Sequence, residues 1–207
     1  WGKPDWADRP SENRASWGKE RKKPGTVYEY NDVRVNMLAL AVLNIFRKPL
    51  PQVLKENIMD KIGASPTWRW LGYENSWIVI DGEHIQSVSG GGHWGGGMFI
   101  SARDHARFGL LTLHNGNWDG EQLVSEEWNR MAQTSGPANK EYGYMNWFLN
   151  IDQERFSKAP ESAFTHLGSG VNMIYVDPEN DIVIVARWIE NSAQEGIVHR
   201  VLDAIEN

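Results

Sequence analysis

The chain has 207 residues, 41% hydrophobic and 23% charged, the balance of a globular protein with room for a substantial core. A formal net charge of -6 argues against nucleic acid or an anionic membrane as the main partner, and no apolar run reaches a membrane span. With no cysteine, the sequence excludes disulfides, thiolate catalysis and cysteine-bound metals, and leaves the redox compartment open.

Residues 1–27 are rich in Trp, Pro, Gly and charge without a sustained period, and read as an irregular segment. The chain opens on Trp1, which reads as a fragment or a processed product. VRVNMLALAVLNIF (33–46) has helical spacing, and Asn31 and Asp32 ahead of it are good helix caps. QVLKENIMDKI predicts a second helix that stops at Gly63. SWIVIDGEHIQSV (76–88) predicts a hairpin turning at Asp81-Gly82. Ser101 and Asp104 have capping-box spacing, so a helix is expected from about 102 to Leu113, ending at Asn115-Gly116. SEEWNRMAQ reads as a short helix capped by Ser125, and YGYMNWFLNI as a strand. AFTHLGSGVNMIYVDPENDIVIVARWI predicts one strand and then a hairpin closed by DPEND; QEGIVHRVLDAIEN ends the chain as an amphipathic helix. This order points to an α+β fold with an antiparallel sheet, without internal repeats.

Several candidate sites lose to plainer readings. Gly90-x-Gly92-x-x-Gly95 matches a dinucleotide fingerprint, but MFI separates it from the next helix and a hairpin precedes it. Six histidines show no metal-ligand spacing, so neither metal nor cofactor is expected; His105 and His199 read as surface or packed residues. Ser16-Trp17-Gly18-Lys19 matches S-x-x-K, in which a lysine can help activate a serine, but no apolar helix surrounds it. Two segments remain. Tyr30-Asn31-Asp32 sets a tyrosine and a carboxylate at a helix mouth, and His166-Leu167-Gly168-Ser169 sets a histidine beside a glycine on a strand. Taken alone, they are also a capped helix and an ordinary strand.

In this order, PGTVYEYNDVRVNMLALAV, GGGMFISARDHARFGLLTLHNGNWDGEQLVSEEW and THLGSGVNMIYVDPENDIVIVARW resemble the serine β-lactamase-like superfamily. The branch is that of class C β-lactamases, D,D-peptidases, esterases and 6-aminohexanoate-dimer hydrolases. The resemblance implies a β-lactamase/transpeptidase-like antiparallel sheet flanked by helices, with 1–207 as the C-terminal part of one such domain. Its pattern is S-x-x-K, Y-x-N, then K-T-G or H-x-G. Tyr30-Asn31-Asp32 matches the second element with an aspartate for the usual asparagine, and His166-Leu167-Gly168 the third. Ser16 lies only 14 residues ahead of Tyr30, too near for the first, so the nucleophile is expected upstream of this chain, with the strands that would pair with the C-terminal hairpin.

The implied chemistry is acyl transfer through an acyl-serine, then attack by water. Tyr30 would be the general base, Asp32 would orient polar groups, and His166 would help stabilise the phenolate. Service near pH 7 demands about 4 kcal/mol of such stabilisation, because a free tyrosine titrates near pH 10. The Ser169 N–H would be one oxyanion donor, while Gly168 and Trp94 would line the substrate cleft. Histidine in place of lysine favours small esters or amides over efficient β-lactam turnover. Export to the periplasm or medium is implied over the cytoplasm; the oligomeric state is left open. The rival readings are a non-catalytic member or binding protein, and an unrelated carbohydrate-binding module, which needs tryptophans along one sheet face, whereas most here are expected in loops and helices.

Overall fold

A computed structural model describes residues 20, 22–30, 32–88, 97–144 and 147–205. They fall into two compact units, one built on Glu29–Lys61 and Ser65–Ser101, the other on Pro24–Tyr28, Ile62–Ala64 and the chain from Ala102 onward.

In the first unit, helix α1 (Asp32–Phe46) buries Val33, Asn36, Ala39 and Leu43, a spacing of three and four that keeps them on one face. Ala39 and Leu43 join Leu50, Ile80, Ile85 and Val88 in a single core. Asp32 is the first helical residue, within α1 and not ahead of it; residue 31 lies outside the described residues. Helix α2 (Leu50–Leu54) widens into a π-helical turn, Lys55–Met59. It starts earlier than the sequence pattern indicates because Pro51 falls in the first turn, where a missing N–H does no harm. The chain leaves this region through Gly63 at φ +68°.

Strands β1 (Arg69–Ile80) and β2 (Glu83–Val88) form the expected hairpin, with Ile80 opposite Glu83 and Trp77 opposite Gln86. β1 begins seven positions before the predicted start at Ser76, because a bulge between Gly72 and Trp77 accommodates polar residues within a strand. The bulge is held by hydrogen bonds: Ser76 Oγ donates to Tyr73 O (2.7 Å), and Gln86 Nε2 to the same oxygen (3.0 Å). MFI, which argued against the dinucleotide reading, lies in and beside β3 (Gly97–Phe99), which pairs with the start of β1. Gly90, Gly92 and Gly95 themselves lie outside the described residues.

In the second unit, α3 (Ala102–Leu113) ends at Asn115 and Gly116, both at positive φ, as the sequence indicates. A two-residue hairpin follows, β4 (Asn117–Trp118) with β5 (Glu121–Gln122). Next comes α4 (Glu126–Ala132), whose cap, Ser125 Oγ, accepts the Trp128 N–H at 3.2 Å. The predicted single strand over YGYMNWFLNI is instead two, β6 (Tyr142–Gly143) and β7 (Trp147–Leu149), folded back on each other. Doubling back puts Tyr142 directly across from Phe148 with ring centres 5.2 Å apart, a cross-strand aromatic contact that one straight strand cannot make.

Strands β8 (Phe164–Gly168), β9 (Asn172–Asp177) and β10 (Ile182–Ala186) complete an antiparallel sheet of order β10-β9-β8-β7-β6. β9 is apolar on both faces. Ile174 and Val176 join the core that holds Phe108 and Leu113 of α3, while Met173 and Tyr175 join that of Val198 and Leu202 on α5 (Gln194–Ile205). Gly109 lets α3 lie directly on this sheet, since a Cβ there would sit 2.6 Å from Val183 and 2.7 Å from Ile174. The unit is an antiparallel sheet with helices on it, the α+β class the sequence predicts. Among the described residues no single helix is long and apolar enough to cross a membrane.

Candidate active site

Five residues implicated by sequence are described, and they divide between the units. Tyr30 and Asp32 belong to the first, and His166, Gly168 and Ser169 to the second. Trp94 lies outside the described residues, as does Ser16. Tyr30 precedes α1 and is 63% exposed, whereas Asp32 is buried at 8%. The other tyrosine of this stretch, Tyr28, packs on Tyr142 in the second unit (ring centres 5.0 Å), and burial pushes its phenol above the usual range, against a smaller opposing pull from Arg155. A raised pKa suits a packed phenol and not a base near neutrality.

His166 stands on β8 opposite Ile174, half-buried, with its ring edge-on to Phe108 of α3 (5.5 Å) and Phe164 (6.0 Å). On β7, Phe148 and Leu149 pair with Thr165 and Phe164, and on the other side β8 stays paired with β9 through Gly168. Gly168 is exposed, and a Cβ there would make only ordinary contacts with Asn172, 3.6 and 3.7 Å away. Among the described residues packing does not demand glycine at 168, and the strand surface there is exposed. Ser169 begins the turn between β8 and β9, one residue beyond the last pair, Gly168 with Asn172. Its carbonyl accepts the Asn172 side chain (Nδ2 to O, 2.7 Å), and Asn172 Oδ1 in turn accepts Arg187 Nε at 3.1 Å. This bridge escaped the sequence reading because its ends stand 18 positions apart and only the hairpin joins them.

Behind it, α3 carries Asp104, fully buried and held by Arg107 Nη1 at 3.0 Å, and His105. The His105 Nδ1 finds no hydrogen-bond partner among the described residues. Burial first, and then the Arg187 charge, hold its pKa below the ordinary 6.5, against a weaker pull from Asp104. His199 is packed on the opposite helix, where its Nε2 accepts the Lys158 N–H at 3.3 Å. Among the described residues no cluster of three or more histidines or carboxylates could hold a metal ion. Of the described tryptophans, Trp70, Trp77, Trp118 and Trp147 lie in strands, Trp128 in a helix, and Trp68 and Trp188 outside both. Those in strands are spread over three separate sheets.

The sheet with its helices has the serine β-lactamase and transpeptidase fold. The chain belongs to the Beta-lactamase family, whose model matches residues 1–188. It is 23% identical over 196 residues to a protein of Escherichia coli O157:H7 described as a D-alanyl-D-alanine carboxypeptidase, covering 79% of this chain and 45% of the relative. Among solved structures, a protein of Bacillus anthracis described as a 6-aminohexanoate-dimer hydrolase superposes with a TM-score of 0.66 and 25% identity, over 90% of this chain and 45% of that one. A penicillin-binding protein homologue from Caulobacter crescentus shares the fold, with a TM-score of 0.52 and 14% identity over 77% of this chain and 52% of its own. The chain thus spans about half the length of the relatives it matches.

Proposed function

We propose that this chain is part of a serine hydrolase that cleaves small esters or amides through an acyl-serine, with the serine outside residues 1–207. The observation that carries this reading is the end of β8: in a Beta-lactamase family chain, an H-x-G strand paired with β9 ends on an exposed Gly168 and puts Ser169 at the turn.

In this reading Tyr30, as phenolate, takes the proton of the serine hydroxyl while the serine oxygen bonds the substrate carbonyl carbon. Collapse of the tetrahedral adduct breaks the bond to the leaving alcohol or amine, which receives that proton. Water then adds with the same base taking its proton, and the acid leaves as the serine is regenerated. The Ser169 N–H holds the carbonyl oxygen as charge builds on it, and a donor from the nucleophile's own backbone completes the pair. Asp32 orients polar groups near Tyr30, His166 supports the phenolate, and Gly168 and Trp94 face the substrate. The setting is periplasmic or extracellular.

A competing reading, a family member that binds without turnover, draws on one observation: the sole S-x-x-K match stands 14 residues ahead of Tyr30. Intact mass of the native gene product before and after a fluorophosphonate separates the two. One adduct on a serine outside this chain, formed at least about a hundredfold more slowly in Tyr30→Phe, is the expected result. An adduct on Ser16, or none at all, would overturn it.

A further inference from the structure

Among the described aromatics of the second unit, Trp188 is the most exposed, at 75%, just past the end of β10. A single exposed tryptophan is unremarkable in itself. Its seat is not. The six-membered ring of Trp188 lies over Gly170, where a Cβ would fall 2.3 Å from Cζ3 and 2.6 Å from Cε3. One part of the indole rests on the β8–β9 turn, and the rest faces solvent.

The backbone holds this seat against its own preferences. Trp188 stands at φ +55° and Val171 at φ +51°, a region bulky and β-branched side chains avoid. Such conformations persist where the surroundings over-determine them, and they gather at ligand clamps. The same turn is tied a second time through the adjacent residue, since Arg187 holds Asn172 and Asn172 holds the Ser169 carbonyl. Two consecutive residues, Arg187 and Trp188, thus fix both sides of one three-residue turn.

The ring lies about 4 Å from the Gly170 Cα, and consecutive Cα atoms are about 3.8 Å apart, so the indole comes within roughly 8 Å of Ser169. A carbonyl held at the Ser169 N–H would have its flat or apolar substituent within reach of the open indole surface. We infer that Trp188 is a specificity-determining residue, an aromatic wall that selects esters or amides carrying an aryl or extended apolar acyl group. This rests on the hydrolase reading above. The acyl side is the one assigned, because the acyl group stays at the oxyanion donor through both half-reactions, whereas the leaving group departs after the first.

The test measures kcat and KM of the native gene product on 4-nitrophenyl acetate and 4-nitrophenyl phenylacetate, beside Trp188→Ala, Trp188→Phe and Gly170→Ala. Trp188→Ala should lower kcat/KM for the phenylacetate about tenfold, through KM, and leave the acetate within about twofold. Trp188→Phe should keep most of the preference. Gly170→Ala, which displaces the ring from beneath, should lose it with Trp188 still present. An unchanged phenylacetate-to-acetate ratio in a folded Trp188→Ala protein overturns the wall, as does an equal loss on both esters, which would place the contact on the leaving group. Wild-type protein that neither turns over nor takes the fluorophosphonate label overturns the hydrolase reading itself, and the wall with it.

Discussion

Two hairpin turns in this molecule solve the same problem by opposite means. Between β1 and β2, Asp81 and Gly82 both take positive φ, +52° and +87°, in a two-residue turn whose chemistry suits the twist of the strands it joins. Among the described residues nothing lies within 4 Å of where a Gly82 Cβ would be. Between β8 and β9, Ser169, Gly170 and Val171 put a β-branched residue in the left-handed region and lay a tryptophan across the glycine. The first turn is specified by its own two residues. The second is imposed by partners farther along the chain, Asn172, Arg187 and Trp188.

The comparison is sharpest where the first hairpin is weakest, at its bulge and not its turn. A Cβ on Gly72 would fall 2.0 Å from the Ser87 carbonyl oxygen and 2.5 Å from Ser76 Oγ, atoms of the hairpin itself. Gly72→Ala should therefore destabilise the first unit by about 3 kcal/mol, seen as a fall in melting temperature of roughly 10 °C. Gly82→Ala has only backbone strain to bear, about 1 kcal/mol. If the two variants melted alike, the hairpin would depend on its turn after all.

Next in size is the corresponding change in the second turn. Gly170→Ala carries the strain of an alanine at φ +73° and also drives the exposed indole from its seat. Since that ring can swing into solvent, the loss should be about 1 to 2 kcal/mol, a few degrees in a thermal melt. Acrylamide quenching should rise with it, and Trp188→Phe beside Gly170→Ala should abolish that extra quenching. An equal rise in the double variant would mean that the signal came from another tryptophan.

Acid separates the turns further. Because burial and Arg187 depress the His105 pKa below 6.5, the unfolded chain binds the proton first as pH falls. The stability tied to neutral His105 is complete above about pH 6.5 and declines as pH drops toward the lowered folded value. Arg187 also holds Asn172, so the β8–β9 turn should lose hydrogen-exchange protection at pH 5 relative to pH 7.5, once rates are corrected for their intrinsic pH dependence, while the Asp81-Gly82 turn should not. His105→Asn should flatten the difference. A pH dependence that survives that substitution would assign the effect elsewhere.

The same contrast decides what was legible in the sequence. The first turn, the end of α3 at Asn115-Gly116 and the Ser125 cap could all be read from residues next to one another, because the physics there is local. The start of β1 could not, since its bulge is stabilised by Gln86 on the facing strand. The aromatic pairing that splits YGYMNWFLNI into β6 and β7 is likewise a cross-strand matter. At the candidate site, Tyr30, Asp32, His166, Gly168 and Ser169 came from motif order, whereas Asn172, Arg187 and Trp188 had no local signal at all. Only the register of β8, β9 and β10 brings them to the same turn.

The smallest effect tests the claim that the first turn is self-sufficient. Asp81 makes an exposed bidentate pair with Arg47 at the end of α1, an outside partner comparable in form to those of the second turn. Both side chains lie largely in water, where such pairs gain little from their attraction and lose it to salt. Asn-Gly is at least as good a pair for this turn as Asp-Gly, so Asp81→Asn removes the bridge and keeps the turn. The melting temperature should stay within the error of the measurement at physiological ionic strength and fall only slightly at low salt. A clear drop at both would mean that Arg47 holds the first turn as Trp188 and Asn172 hold the second, and the difference between the two hairpins would be one of degree.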